Sequence, residues 1–170
     1  MRLAELLEDA KAAIVDAGDR DAVLQRSADL LACRQVGPGG LHASLLRREK
    51  LGSTGIGHGV AIPHGRSDQV HAPRAVLLRL APPVDFGAAD GQAVDLLFVL
   101  AIPLNHAQQH LMLLAELAER FSEPGFRARL RAAPDADALL ACMRAWRPEP
   151  ATGAGDNALP RPPHAHGDSA

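Results

Sequence analysis

With 170 residues, 47% of them hydrophobic, the chain fits one domain of ordinary size and can bury a core without disulfide staples. Its formal charge of −2 at pH 7 leaves no electrostatic footprint for nucleic acid or a membrane surface, and no apolar run reaches the length of a membrane span. Lys11 and Lys50 are the only lysines, but with acids this plentiful the arginine excess by itself carries no functional weight.

The acidic start, with Glu5, Glu8 and Asp9, does not read as a signal peptide. Leu3 to Leu7 reads as a short helical turn and Ala12 to Val15 as a short strand before Gly18. Asp19 or Asp21 then caps a helix with Val23, Leu24, Leu30 and Leu31 on its apolar positions, running to about Cys33. Val36-Gly37-Pro38-Gly39-Gly40 stops it. A second helix, Leu41 to Leu51, places Arg48 on the apolar stripe of Leu41, Leu45 and Leu51, where a charge needs a partner.

Residues 52–66 read G-S-T-G-I-G-H-G-V-A-I-P-H-G-R, five glycines around an apolar run and two histidines. Glycine permits turns with φ > 0 and close backbone approach. The stretch reads as a turn-rich loop and a brief buried strand, Val60 to Ile62, that presents His64 at its end, where side chains carried by a rigid sheet often act. After a polar connection with His71 and Pro73, Ala75 to Leu80 reads as a strand closed by Pro82 and Pro83. Val94 to Ile102 is apolar except for Asp95, the pattern of a central strand covered on both faces.

Asn105 is the expected cap of a helix from His106 to Phe121, with His110, Leu114, Leu117 and Phe121 on one face. Phe126 to Arg131 and Asp135 to Trp146 read as two shorter helices separated by Pro134. Beyond Arg147 the composition turns to Pro, Ala, Gly and Asp, so the expected organisation is a domain over residues 1–147 and a disordered tail over 148–170. Cys33 and Cys142, in helical-looking stretches without C-x-x-C spacing, read as buried free thiols in a reducing compartment, and a cytoplasmic location is expected. The alternation of strands and helices predicts an α/β fold, a small mixed β-sheet sandwiched by helices on both faces in a single domain.

Simple motifs explain little of the glycine-rich stretch. Its G-x-x-G-x-G pattern has no clear preceding strand and no following G-K-[ST], which argues against a nucleotide loop. His106 and His110 lie one helical turn apart and could ligate zinc with His64, but the residue after His106 is alanine rather than the glutamate of H-E-x-x-H. Taken alone, His110 on an apolar helix face reads as structural.

The string R-E-K-L-G-S-T-G-I-G-H-G-V-A-I-P-H-G, Arg48 to Gly65, resembles the signature of the enzyme IIA domains of the fructose/mannitol class in the bacterial phosphotransferase system, most nearly its nitrogen-regulatory branch. Val94 to Pro103 and Gln109 to Ala118 fall where that family has its central strand and second histidine, and the resemblance extends over about residues 1–146. It implies that His64 is phosphorylated by the phosphocarrier HPr, with Arg48 and His110 assisting. His58 stands where relatives often have asparagine.

A neutral imidazole is a good nucleophile toward phosphorus, and arginine suits the equatorial oxygens of a transferring phosphoryl group. The phosphate arrives on a protein, so no cofactor is expected. The expected partners are an HPr-type carrier and regulatory protein targets or a IIB domain. The principal expectation is a regulatory phosphocarrier; the alternatives are a sugar-specific IIA component feeding a fructose or mannitol IIB domain, and a zinc-dependent hydrolase.

Overall fold

The computed structural model describes residues 2–147, apart from the side chain of Ala107; the tail expected over 148–170 lies outside the described residues. The elements run α1 (Leu3–Glu8), β1 (Lys11–Val15), α2 (Arg20–Leu31), α3 (Pro38–Lys50), β2 (Gly55–Gly57), β3 (Val60–Ala61), β4 (His64–Ser67), β5 (Arg74–Val84), β6 (Val94–Pro103), α4 (Ala107–Ser122), α5 (Pro124–Ala132) and α6 (Ala136–Ala145). The sheet is mixed, in the order β1-β5-β6-β3-β2, with β4 also paired to β6. No helix among the described residues is long and apolar enough to cross a membrane.

As its apolar run predicts, β6 is the central strand, buried at every position except the half-buried Asp95. That carboxylate meets the Arg131 guanidinium through two N–H···O contacts of 2.8 Å, so the one charge in the strand is paired where it enters the sheet. Alternate strand residues feed two cores. Leu77, Leu96, Phe98 and Leu100 pack with α1, α4, α5 and α6 on one face, and Val76, Leu78, Leu97 and Val99 pack with α2 and α3 on the other. The expected α/β sandwich, with helices on both faces, is what forms.

Several boundaries differ from the sequence reading. The helix expected from Leu41 begins at Pro38, because proline supplies a helical φ in a first turn whose N–H groups lack helical partners anyway. It ends at Lys50, and Leu51, assigned to its buried stripe, is 82% exposed. The strand expected to close at Pro82 runs on to Val84, and the prolines fall inside the interruption of the ladder between Arg79 and Val84, where no N–H is required. The cap of α4 is His106 rather than Asn105. Both cysteines are free but only half-buried, and Cys33 lies in the turn after α2, bridged to Val36.

The largest difference concerns residues 52–66, expected as a loop and one strand. They form three short strands. β3 pairs with β6 in parallel as Val60↔Leu96, and β4 as His64↔Leu100, the same offset of 36 residues, so Ile62 and Pro63 interrupt one continuous register. His64 therefore opens β4 instead of closing the strand before it.

Gly65 explains how α3 reaches this strand. A Cβ there would lie 2.7 Å from the Ser44 hydroxyl and 3.2 Å from the Leu45 amide nitrogen, while that hydroxyl donates to the Arg66 carbonyl at 2.8 Å. One helical turn beyond Ser44, the contact delivers Arg48 to His64. Gly65→Ala is expected to lower unfolding free energy by about 1–3 kcal/mol, measured by urea denaturation, as overpacking at a backbone contact does.

Candidate functional site

His64 is held at both ring nitrogens. Nδ1 lies 2.8 Å from the Ile62 carbonyl oxygen, which only accepts, so Nδ1 carries the proton. The Nε2 lone pair then accepts from Arg48 Nε–H at 3.0 Å, and the same guanidinium donates from Nη1 to the Gly52 carbonyl at 2.8 Å. The partner that a charge on the helix stripe requires is thus the ring and the loop together.

His110, in the first turn of α4, is 9% exposed and sets its ring edge-to-face against His64, with centroids 4.8 Å apart at 70°. Its Nε2 is buried and has no hydrogen-bond partner among the described residues. Such an atom costs about 1–3 kcal/mol unless something binds it. His64, Arg48 and His110 share a surface hollow with Ser44, Arg47, Leu51, Arg66 and Leu104. His106 lines a neighbouring hollow with Asp68 and His71 instead, and no group of three or more potential metal ligands assembles among the described residues.

Glu49 escaped the sequence reading. It is 4% exposed, and its carboxylate accepts from the Thr54 amide at 3.1 Å and the Thr54 hydroxyl at 2.6 Å. Consecutive residues at the end of α3 therefore latch the glycine-rich loop from two sides, Arg48 at Gly52 and Glu49 at Thr54. A clue was the acid beside Arg48 near the end of a helix followed by Leu51-Gly52-Ser53-Thr54. His58 takes a left-handed φ of 56°, with its amide on the Asp90 carboxylate at 2.8 Å, so its backbone shapes the turn into β3. Asparagine, which the resemblance places here in relatives, also tolerates this conformation.

Over residues 6–145 the chain matches the family model described as phosphoenolpyruvate-dependent sugar phosphotransferase system, EIIA 2. It belongs to that family. The EIIA 2 chain is 41% identical over 142 residues to the nitrogen regulatory protein of Pseudomonas aeruginosa, which covers 82% of this chain and 92% of that one. Among solved structures it resembles the nitrogen regulatory protein IIA-Ntr of Neisseria meningitidis, at a TM-score of 0.76 and 33% identity over 83% of this chain and 98% of that one. The mannitol IIA of Escherichia coli shares the fold at a TM-score of 0.67 and 22% identity, over 80% and 96% of the two chains.

Both histidines of this EIIA 2 site are biased toward neutrality. Burial holds His64 below the ordinary imidazole value and the Arg48 charge adds to it, while the bond to Ile62 and the Glu49 carboxylate oppose them. His110 is pushed down to about 4, by burial first and then by the positive charges of His64, Arg66 and Arg48. Both rings are therefore uncharged at neutral pH and gain protons only as pH falls through the lowered values. An NMR titration is expected to place the His64 midpoint below 6.5 and that of His110 about 4. Arg48→Gln, which removes a charge that disfavours imidazolium, is expected to raise the His64 midpoint.

Proposed function

We propose that this chain is a phosphocarrier of the bacterial phosphotransferase system, acting in the cytoplasm, that accepts a phosphoryl group from an HPr-type carrier on His64 Nε2. The observation that carries this reading is the bond from His64 Nδ1–H to the Ile62 carbonyl, which leaves Nε2 as the nitrogen with the lone pair, held in the resting site only by Arg48 Nε–H. The resemblance to nitrogen regulatory proteins in sequence and fold supports a regulatory output for the domain over residues 1–147.

In the transfer, the Nε2 lone pair forms a bond to phosphorus as the donor's P–N bond breaks. The bonding pair returns to the donor ring, which keeps the proton on its far nitrogen and leaves as neutral imidazole. His64 likewise retains its Nδ1 proton, and the positive charge its ring acquires is stabilised by the Ile62 oxygen. Arg48 Nε–H, released from the lone pair it held, turns to a phosphoryl oxygen, and Nη1 stays on the loop to limit the motion. His110, in the neutral tautomer that carries its proton on Nε2, donates to a second oxygen. That bond satisfies the buried atom that otherwise lacks a partner. Every covalent change lies between two imidazoles and one phosphoryl group, so the reaction requires no cofactor.

The regulatory output follows from charge. Phosphorylation places about −1.5 to −2 charges in a surface that also exposes Leu51 and Leu104, which disfavours any partner burying it against apolar or acidic groups.

Intact-mass analysis after incubation with HPr, enzyme I and phosphoenolpyruvate is expected to show one added phosphoryl group, labile in acid and stable in base. Its persistence in His64→Ala would overturn the assignment. In single-turnover measurements, Arg48→Ala and His110→Ala are expected to slow transfer about 10² to 10³-fold without abolishing it. Wild-type rates in both would return them to structural roles. Rapid onward transfer to a fructose or mannitol IIB domain would favour the sugar-specific alternative.

A further inference from the structure

The charge around His64 exceeds what the phosphoryl group alone requires. Three arginines, Arg47, Arg48 and Arg66, line the hollow, and no carboxylate among the described residues does. Glu49, the nearest acid in sequence, is buried and turned toward Thr54 and Arg20. The chain as a whole carries a formal charge of −2, so this face has the opposite sign to the molecule that bears it.

The arginines also differ in their engagement. Arg48 is held by His64 and Gly52, and Arg66 donates to the Leu104 carbonyl. Arg47 is exposed on α3, with no hydrogen bond or ion pair among the described residues. It contributes nothing visible to the fold, yet stands on the rim beside Leu51, 82% exposed, and Leu104, 47% exposed. Apolar side chains between unpaired cations form a surface suited to a partner with apolar contact area and carboxylates.

We propose that this face docks a protein phosphodonor whose own reactive histidine is ringed by acidic side chains, and that Arg47 is a residue that selects it. The proposal rests on the phosphocarrier reading and adds the charge of the donor's rim, which that reading leaves open. Attraction between rims raises the encounter rate, and a donor with a basic rim meets Arg47 and Arg66 as like charges. Leu51 and Leu104 supply contact area that is insensitive to salt.

The test uses the full chain and two phosphorylated HPr-type carriers, one with aspartate and glutamate around its histidine and a variant with those carboxylates replaced by lysine. Both carry the same phosphohistidine, so a difference between them reports the rim. At about 20 mM salt the second-order transfer rate is expected to be at least about 10-fold higher from the acidic carrier, and at about 0.5 M salt most of that advantage should vanish. Arg47→Glu is expected to lower the rate from the acidic carrier several-fold at low salt, whereas Arg47→Lys retains it.

Equal rates from the two carriers, faster transfer from the lysine variant, or a rate unchanged in Arg47→Glu would each overturn the proposal. The carrier comparison leaves this protein unaltered, so misfolding of a variant cannot blur the answer. Failure of both carriers to label His64 has a separate meaning, because it removes the phosphocarrier reading and this proposal with it.

Discussion

The site depends on one small constraint, the grip of the Ile62 carbonyl on the His64 ring two residues ahead in the chain. The bond fixes the tautomer, and with it the nitrogen that carries the lone pair. It forms where Ile62 and Pro63 interrupt two strands that share one register on β6. Pro63 gives its carbonyl to the Leu100 amide of β6, so the Ile62 carbonyl, pointing the other way along the alternating backbone, is left for the His64 ring. The sheet positions the histidine, and the interruption in the sheet orients it.

Around that constraint the helices supply what a reacting phosphoryl group would need. The absence of a side chain at Gly65 lets α3 press on β4, so Arg48 arrives one turn beyond Ser44. Its neighbour Glu49 anchors the loop from inside while Arg48 holds it from outside. On the other side, α4 brings His110 edge-on, buried enough that its charged form is suppressed to a value of about 4. A protonated His110 would repel positive charge on the His64 ring beside it. A neutral ring whose Nε2 lacks a partner brings no such repulsion.

Much of this was legible in the sequence, and the limits have physical reasons. The run Val94 to Ile102 announced the central strand because burial on both faces leaves no alternation to misread. His64, Arg48 and His110 were singled out as candidates from the motif and its resemblance, and the fold brings all three together. The three short strands within residues 52–66 are not legible locally because glycine has weak strand preference and two of them, β3 and β4, are set by pairing with β6, 36 residues away, while β2 pairs only with β3. The start of α3 was misplaced because Pro38, Gly39 and Gly40 read locally as a break, although the first turn of a helix tolerates them. Glu49 was invisible for a similar reason, since its partner Thr54 lies across a turn whose path only the fold defines. Composition gave the arginine excess no weight, whereas the convergence of Arg47, Arg48 and Arg66 on one rim is a property of position that composition does not carry.

The central claim is that the Ile62 carbonyl reserves Nδ1 for a hydrogen bond and leaves Nε2 to attack. Nitrogen-15 and phosphorus-31 NMR of the phosphorylated chain, labelled at histidine, tests it most directly, because the one-bond coupling identifies the ring nitrogen that carries phosphorus. Coupling to Nε2 of His64, with a proton retained on Nδ1, is the expected result. Phosphorus on Nδ1 would contradict it, since that nitrogen cannot both hold the Ile62 oxygen and bear the phosphoryl group.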